Sequence, residues 1–266
     1  MASVNEIYRY LDTLAPFHIQ MSFDNAGFLV GRGEAEVSRL LVSLDITEEV
    51  IGEANELGCQ LIVAHHPIIF HPARSVTDAD PVGRCVLALA ENRIAAICAH
   101  TNLDAVSGGV NDALAQCLGL TGIEQLHQDG VDPQGRPYGI GRVGNLPFSA
   151  PMDAKTFAAF VRDRLDARGL RLEDAGRPVF RVAVGGGACG DLLEDAARLG
   201  CDTFVTADVK YNVFLDARSM GINLIDAGHF STENVVCPVL ADWLKNGFPQ
   251  LEVLRSKRHK EVFSCL

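Results

Sequence analysis

Arg39-Leu40-Leu41-Val42-Ser43-Leu44-Asp45 is an apolar run with one charge at each end, the pattern of a buried strand. Thr47 to Leu57 then reads as a helix, with Thr47 a candidate N-cap and Gly58 a stop. Gln60 to Ala64 is the next strand. The same order recurs downstream: Phe180-Arg181-Val182-Ala183-Val184, a helix from Asp191 to Leu199, Gly200, then Thr203-Phe204-Val205-Thr206-Ala207-Asp208. Leu57-Gly58-Cys59 in the first copy matches Leu199-Gly200-Cys201 in the second. Each copy continues through another helix to a third strand, Ile94-Ala95-Ala96-Ile97-Cys98-Ala99 in one and Ile222-Asn223-Leu224-Ile225 in the other. A β-α-β-α-β pattern present twice predicts an α/β protein. It has two related lobes, with helices flanking mixed, largely parallel sheets.

Asp129-Gly130 and Pro133-Gln134-Gly135-Arg136-Pro137 form a turn-rich boundary. This places the first lobe at 1–128 and the second at 129–266. A strand-like segment from Tyr138 to Leu146 and an amphipathic helix over Ala154–Leu165 open the second lobe. The carboxyl-terminal segment from about 234 can pack back on the first lobe. A chain of 266 residues, 48% hydrophobic, has ample apolar material for such cores.

Three phrases follow strands: Ala64-His65-His66-Pro67, His100-Thr101-Asn102-Leu103-Asp104 and Gly228-His229-Phe230-Ser231-Thr232-Glu233. In open α/β sheets, binding sites form outside the carboxyl ends of strands. Imidazoles and carboxylates gathered there are the ligand inventory of hydrolytic metal ions, here a two-metal site in the cleft between the lobes. Adjacent strand residues point to opposite faces, so His65 and His66 converge only if the strand has ended. Pro67 favours that by excluding helical geometry at His66. His229 and Glu233 share one face if a helix begins near Phe230, capped by Ser231 or Thr232, and Pro238 further along should kink it.

Taken singly, each phrase has a plainer explanation. A His-His pair before proline can be a solvated turn, Asp104 can cap the turn at Ser107-Gly108-Gly109, and His229 with Glu233 can be a surface pair. Gly185-Gly186-Gly187-Ala188-Cys189-Gly190 fits the dinucleotide outline G-x-G-x-x-G between a strand and a helix. The acidic residues that open the following helix already occupy the end a pyrophosphate needs. A tight strand–helix turn is the simpler reading, and no nucleotide cofactor is expected.

Net charge is −11 and pI about 5.1, which argues against a nucleic-acid or acidic-membrane partner, since neither is held without a basic face. The amino terminus lacks the basic and apolar regions of a signal peptide, and no stretch approaches a membrane span. None of the eight cysteines forms a Cys-x-x-Cys pair. Reduced core thiols in a cytoplasmic protein are expected.

With Asp24-Asn25-Ala26-Gly27-Phe28-Leu29-Val30-Gly31 and Val205-Thr206-Ala207-Asp208-Val209-Lys210-Tyr211 added, these phrases resemble the Nif-three-like family along nearly the whole chain. Members of that family carry the label of type-two GTP cyclohydrolase-like proteins. The resemblance is to the form without an inserted middle domain. It implies a two-lobed α/β subunit in a homohexameric ring with binuclear sites. By position, His65 and His229 would hold one metal and His66 and Asp104 the other, with Glu233 bridging both.

Two divalent ions about 3.5–4 Å apart would acidify a water and stabilise charge on the substrate. Mixed imidazole and carboxylate donors suit Zn, Fe and Mn alike. His100, outside the ligand set, is the candidate acid/base, with ligand support as its other role. Asp45, Asn25 and Asp226 are weaker candidates for the rim. The leading expectation is a metal-dependent hydrolase of a nucleotide-like small molecule, of the kind that opens a purine ring. The alternatives are a metal-handling or chaperone protein and a ring-shaped binding protein without turnover.

Overall fold

The computed structural model describes residues 1–132, 135–147 and 152–265. Pro133 and Gln134 of the turn-rich stretch lie outside the described residues. The chain is α/β and forms two compact units. Met1–Leu103 groups with Val236–Lys260, and Asp104–Val235 groups with Glu261–Leu266.

The first unit is built on a five-stranded sheet ordered Glu252–Arg255, Arg39–Ser43, Leu61–Ala64, Ala95–Cys98, Gly27–Val30. All neighbours run parallel except Gly27–Val30, which lies antiparallel on Ala95–Cys98. Leu61–Ala64 and Ala95–Cys98 are buried along their whole length, the mark of parallel strands covered on both faces. Against one face, helices Glu48–Glu56 and Pro81–Glu91 add Val50, Ile51, Ala54 and Leu89 to Leu41, Ile62 and Ala96. Thr47 caps the first of these helices by accepting from the Val50 amide at 3.3 Å. Beyond that helix, Gly58 takes φ +66°, which ends it and turns the chain into the next strand.

The second unit holds a six-stranded sheet ordered Arg171–Glu173, Asn223–Asp226, Thr203–Thr206, Arg181–Val184, Arg142–Asn145, Thr121–Gln125. Its three central repeat strands pair in parallel, and the flanking pairs are antiparallel. Helix Ala154–Leu165 begins and ends where its apolar spacing predicts, capped by Asp153 accepting from the Thr156 amide at 3.0 Å. It buries Phe157, Ala158, Val161 and Leu165 against Val182, Val184 and Ile225.

Three expectations need correcting. Residues 104–128 pack with the second unit, not with the first as a boundary near 129 suggests. The cause is Leu114, Ala115, Leu118 and Leu120, which join the second core, and Thr121–Gln125, which forms the edge of the second sheet. In addition, the stretch after Gly228 is not one kinked helix. His229–Glu233 ends at Asn234, and Val236–Gly247 starts afresh, so Pro238 sits in a first turn whose amides need no intrahelical partner. The first of these helices has Gly228 at its N-cap, at φ +85°, in place of Ser231 or Thr232.

Among the described residues no helix is long and apolar enough to cross a membrane. Among the described residues no disulfide links any cysteines.

Phe157 is fully buried in the second core. Phe157→Ala should therefore cost about 3–5 kcal/mol in a urea titration of unfolding. A loss below about 1 kcal/mol would contradict this account of the core.

Candidate metal centre

In the first unit the strand Leu61–Ala64 ends, and the amides of His65 and His66 both donate to the Leu44 carbonyl, at 3.1 and 2.9 Å. One acceptor shared by consecutive amides breaks the alternation of a strand. The two rings consequently lie on the same side, with centroids 4.9 Å apart. His100 joins them, 5.1 Å from His65 and 5.5 Å from His66. One nitrogen from each ring lies within 4.8 Å of the others.

Each ring is oriented by an oxygen at Nδ1. His65, fully buried, makes this contact with the Ala99 carbonyl at 2.8 Å. A carbonyl only accepts, so Nδ1 of His65 carries the proton and Nε2 the lone pair. His66 Nδ1 lies 2.7 Å from Asp45, and His100 Nδ1 lies 2.8 Å from Asp24. Burial alone would raise the Asp24 carboxyl, yet hydrogen bonds from His100 and Thr101 hold it down at about 2. Burial also works against the Asp45 carboxylate, and hydrogen bonds from His259 and His66 outweigh it, so this group too is held below its ordinary value. Both are ionised acceptors, which gives His66 and His100 the same tautomer as His65.

The phrase after His100 is a short helix, Thr101–Ala105. Asn102 anchors its start by accepting from the His100 amide and donating to the Ala15 carbonyl, at 2.9 and 2.7 Å.

In the second unit, His229 Nδ1 lies 2.6 Å from Asp208. Asp208 adopts φ +51°, a left-handed conformation uncommon outside glycine. His229 Nε2 is 3.0 Å from Glu233 Oε2, one helical turn on. With the proton at Nδ1, these two atoms are both acceptors, and only a proton or a cation between them makes the approach favourable. Asp104 lies in the same cluster, with a carboxylate oxygen within 4.8 Å of one from Glu233. Asp104 and Glu233 are 8% and 4% exposed. Two buried carboxylates this close repel, and a shared cation stabilises both. The donor set in each unit thus fits a divalent ion: neutral imidazoles presenting Nε2 in one, an imidazole with paired carboxylates in the other.

The glycine loop packs against this cluster. Its amides at Gly185, Gly186, Gly187 and Cys189 donate to Val205 O, Asn111 Oδ1, Thr232 Oγ1 and Thr206 Oγ1. They are committed to the protein, as a tight turn requires and a pyrophosphate cradle does not. Asn111 also donates to the Asp104 carbonyl at 3.0 Å, which ties that loop to the Asp104 backbone. Gly187 has φ +68°, and a Cβ there would lie 2.1 Å from Glu233 Oε1. The sequence outline of a nucleotide fingerprint is explained by the room that Glu233 needs.

Of the weaker rim candidates, Asp45 holds His66. Asn25 donates to the Ile69 carbonyl, and Asp226 accepts from the Val209 and Gly228 amides at 2.9 and 3.1 Å, shaping the loop before His229. Asp24 and Asp208, the carboxylates on His100 and His229, are not marked by their spacing. Each lies in a loop far from its imidazole in sequence, so only the fold pairs them.

A family model described as Duf34/NIF3 (NGG1p interacting factor 3) matches residues 2–261. A Clostridium perfringens protein named GTP cyclohydrolase 1 type 2 homolog is 34% identical over 265 residues, covering 99% of each chain. One of the same name from Streptomyces coelicolor is 36% identical over 263 residues, covering 97% of this chain and 88% of its own. The crystal structure of a Bacillus cereus protein related to NIF3 superposes with a TM-score of 0.93 at 25% identity, covering 100% of this chain and 99% of that one.

Gly187→Ala combines a left-handed φ, about 1–2 kcal/mol, with overpacking of about 1–3 kcal/mol against Glu233. Gly176, at φ +74° with nothing within 4 Å of where a Cβ would lie, isolates the backbone part. Urea unfolding of the metal-free variants should show Gly187→Ala losing clearly more stability than Gly176→Ala. Equal losses would contradict the packing of the loop on Glu233.

Proposed function

The chain belongs to the Duf34/NIF3 family, and we propose that it is a metal-dependent hydrolase acting on a nucleotide-like small molecule. The observation that carries this reading is the orientation of the four imidazoles, each with an oxygen at Nδ1, the arrangement that directs Nε2 towards a metal ion. In this proposal His65 and His229 would hold one divalent ion and His66 and Asp104 the other, with Glu233 as a ligand to both. Zn, Fe and Mn all suit such donors. Ions held there would supply an acidified water and positive charge opposite the charge that develops on the substrate.

The chain's own residues do the rest. His100 exchanges a proton at Nε2, while Asp24 holds its ring and stabilises the imidazolium that forms. Asp45 and Asp208 orient His66 and His229 in the same way, and an ion on their Nε2 atoms would keep that proton from them. The relatives' name, GTP cyclohydrolase 1 type 2 homolog, supports a purine nucleotide as substrate. For such a substrate the activated water would attack the imidazole ring of the base. The reading extends to a homohexameric ring in the cytoplasm, with light scattering as the check on assembly.

Glu233→Ala should lose most of both ions, measured by elemental analysis of protein purified without chelators. Full metal retention by that variant would remove its bridging role. His100→Ala should lower nucleotide turnover about 10²–10⁴-fold with metal content near wild type. If metal affinity falls instead, by about 10–100-fold, His100 supports a ligand and does not transfer the proton. A metal-loaded wild type inert towards GTP and other nucleotides would favour the metal-handling alternative.

A further inference from the structure

His66 is held by Asp45, and Asp45 is held in turn from the far end of the chain. Its Oδ1 meets His66 Nδ1 at 2.7 Å, and its Oδ2 meets His259 Nε2 at 2.8 Å. The Asp45 side chain is 38% exposed, whereas His259 is only 7% exposed. An exposed carboxylate with one partner rotates. One gripped at both oxygens does not.

His259 is itself fixed by the segment that follows the last strand, Glu252–Arg255. The Ser256 amide donates to the Val42 carbonyl at 2.8 Å, and the His259 amide donates to Ser256 Oγ at 3.1 Å. Glu53, buried on helix Glu48–Glu56, accepts from Ser256 Oγ and from the amides of Lys257 and Arg258, the latter two at 2.9 and 3.3 Å. Arg258 also pairs with Glu56. These bonds hold a segment with no regular secondary structure in one conformation, and that conformation delivers the His259 ring to Asp45.

We propose that His259 is a positioning residue for the metal centre: by gripping the second oxygen of Asp45, it holds His66 with the proton at Nδ1 and the lone pair at Nε2. The carboxyl-terminal segment Ser256–His259 is then a latch on the site. This rests on His66 being a metal ligand, as proposed above. Outer partners of ligating imidazoles fix both ring orientation and tautomer, and losing one lowers metal affinity about 10–100-fold.

Two variants separate the hydrogen bond from packing. His259→Leu removes the donor and keeps bulk, while His259→Gln replaces Nε2–H with an amide N–H at a similar reach. Co²⁺ affinity of the metal-stripped full chain, followed by the d–d absorption band, should fall about 10–100-fold in His259→Leu. It should stay near wild type in His259→Gln. Wild-type affinity in His259→Leu, or an equal fall in both variants, would overturn the proposal. Imidazole ¹⁵N spectra of the metal-free proteins provide a reading that needs no ion. His66 should be the Nδ1–H tautomer in wild type and a mixture in His259→Leu. If wild type binds no Co²⁺, the metal reading fails on its own, and an unchanged His66 tautomer in His259→Leu then overturns the positioning role separately.

Discussion

An imidazole presents a lone pair at one nitrogen only if its other nitrogen keeps the proton. Four histidines meet that condition here, through the Ala99 carbonyl and the carboxylates of Asp45, Asp24 and Asp208. Much of the surrounding structure serves those four contacts. The parallel strands stop where His65 and His66 begin, and the Leu44 carbonyl accepts from both amides so that the rings fall on one side. Asp24 is fixed by the Thr101 amide at 3.0 Å as well as by His100. Asp208 sits in a left-handed turn that brings its carboxylate to His229.

The second unit solves a different problem, that of placing negative charge inside a protein. Glu233 and Asp104 are buried and close, an arrangement disfavoured without a compensating cation. The glycine loop is shaped around this pair. A side chain at Gly187 would occupy the position of a Glu233 oxygen, and Asn111 connects the Gly186 amide to the Asp104 backbone. A motif whose spacing fits dinucleotide binding is thus an accommodation of a carboxylate. Spacing alone does not separate the two, because both need glycine where backbone and oxygen approach closely.

The fold is legible in the sequence wherever local chemistry and packing agree. Thr47 and Gly58 bracket a helix as their types predict, and Ala154–Leu165 follows its apolar period. The repeat of Leu-Gly-Cys finds two equivalent αβ junctions, with Gly58 at φ +66° and Gly200 at φ +73°. Legibility ends where long-range packing decides. Nothing local assigns helix Val110–Cys117 to the second core, and Pro238 reads as a kink until the break at Asn234 shows that it lies in a first turn. Among the proposed ligands and their neighbours, the His-His pair, His100, Asp104, His229 and Glu233 are visible because their phrases follow strands. Their partners Asp24, Asp208 and His259 lie 76, 21 and 214 residues from the groups they contact, and no periodicity links such positions.

The most direct test of the central claim is anomalous diffraction at the Mn, Fe and Zn edges from crystals of protein purified without chelators. Two peaks per chain are expected. One should lie on His65 and His229, the other on His66 and Asp104, with a Glu233 oxygen on each. A single ion held only by His65, His66 and His100, or no peak at either position in metal-supplemented crystals, would contradict the account.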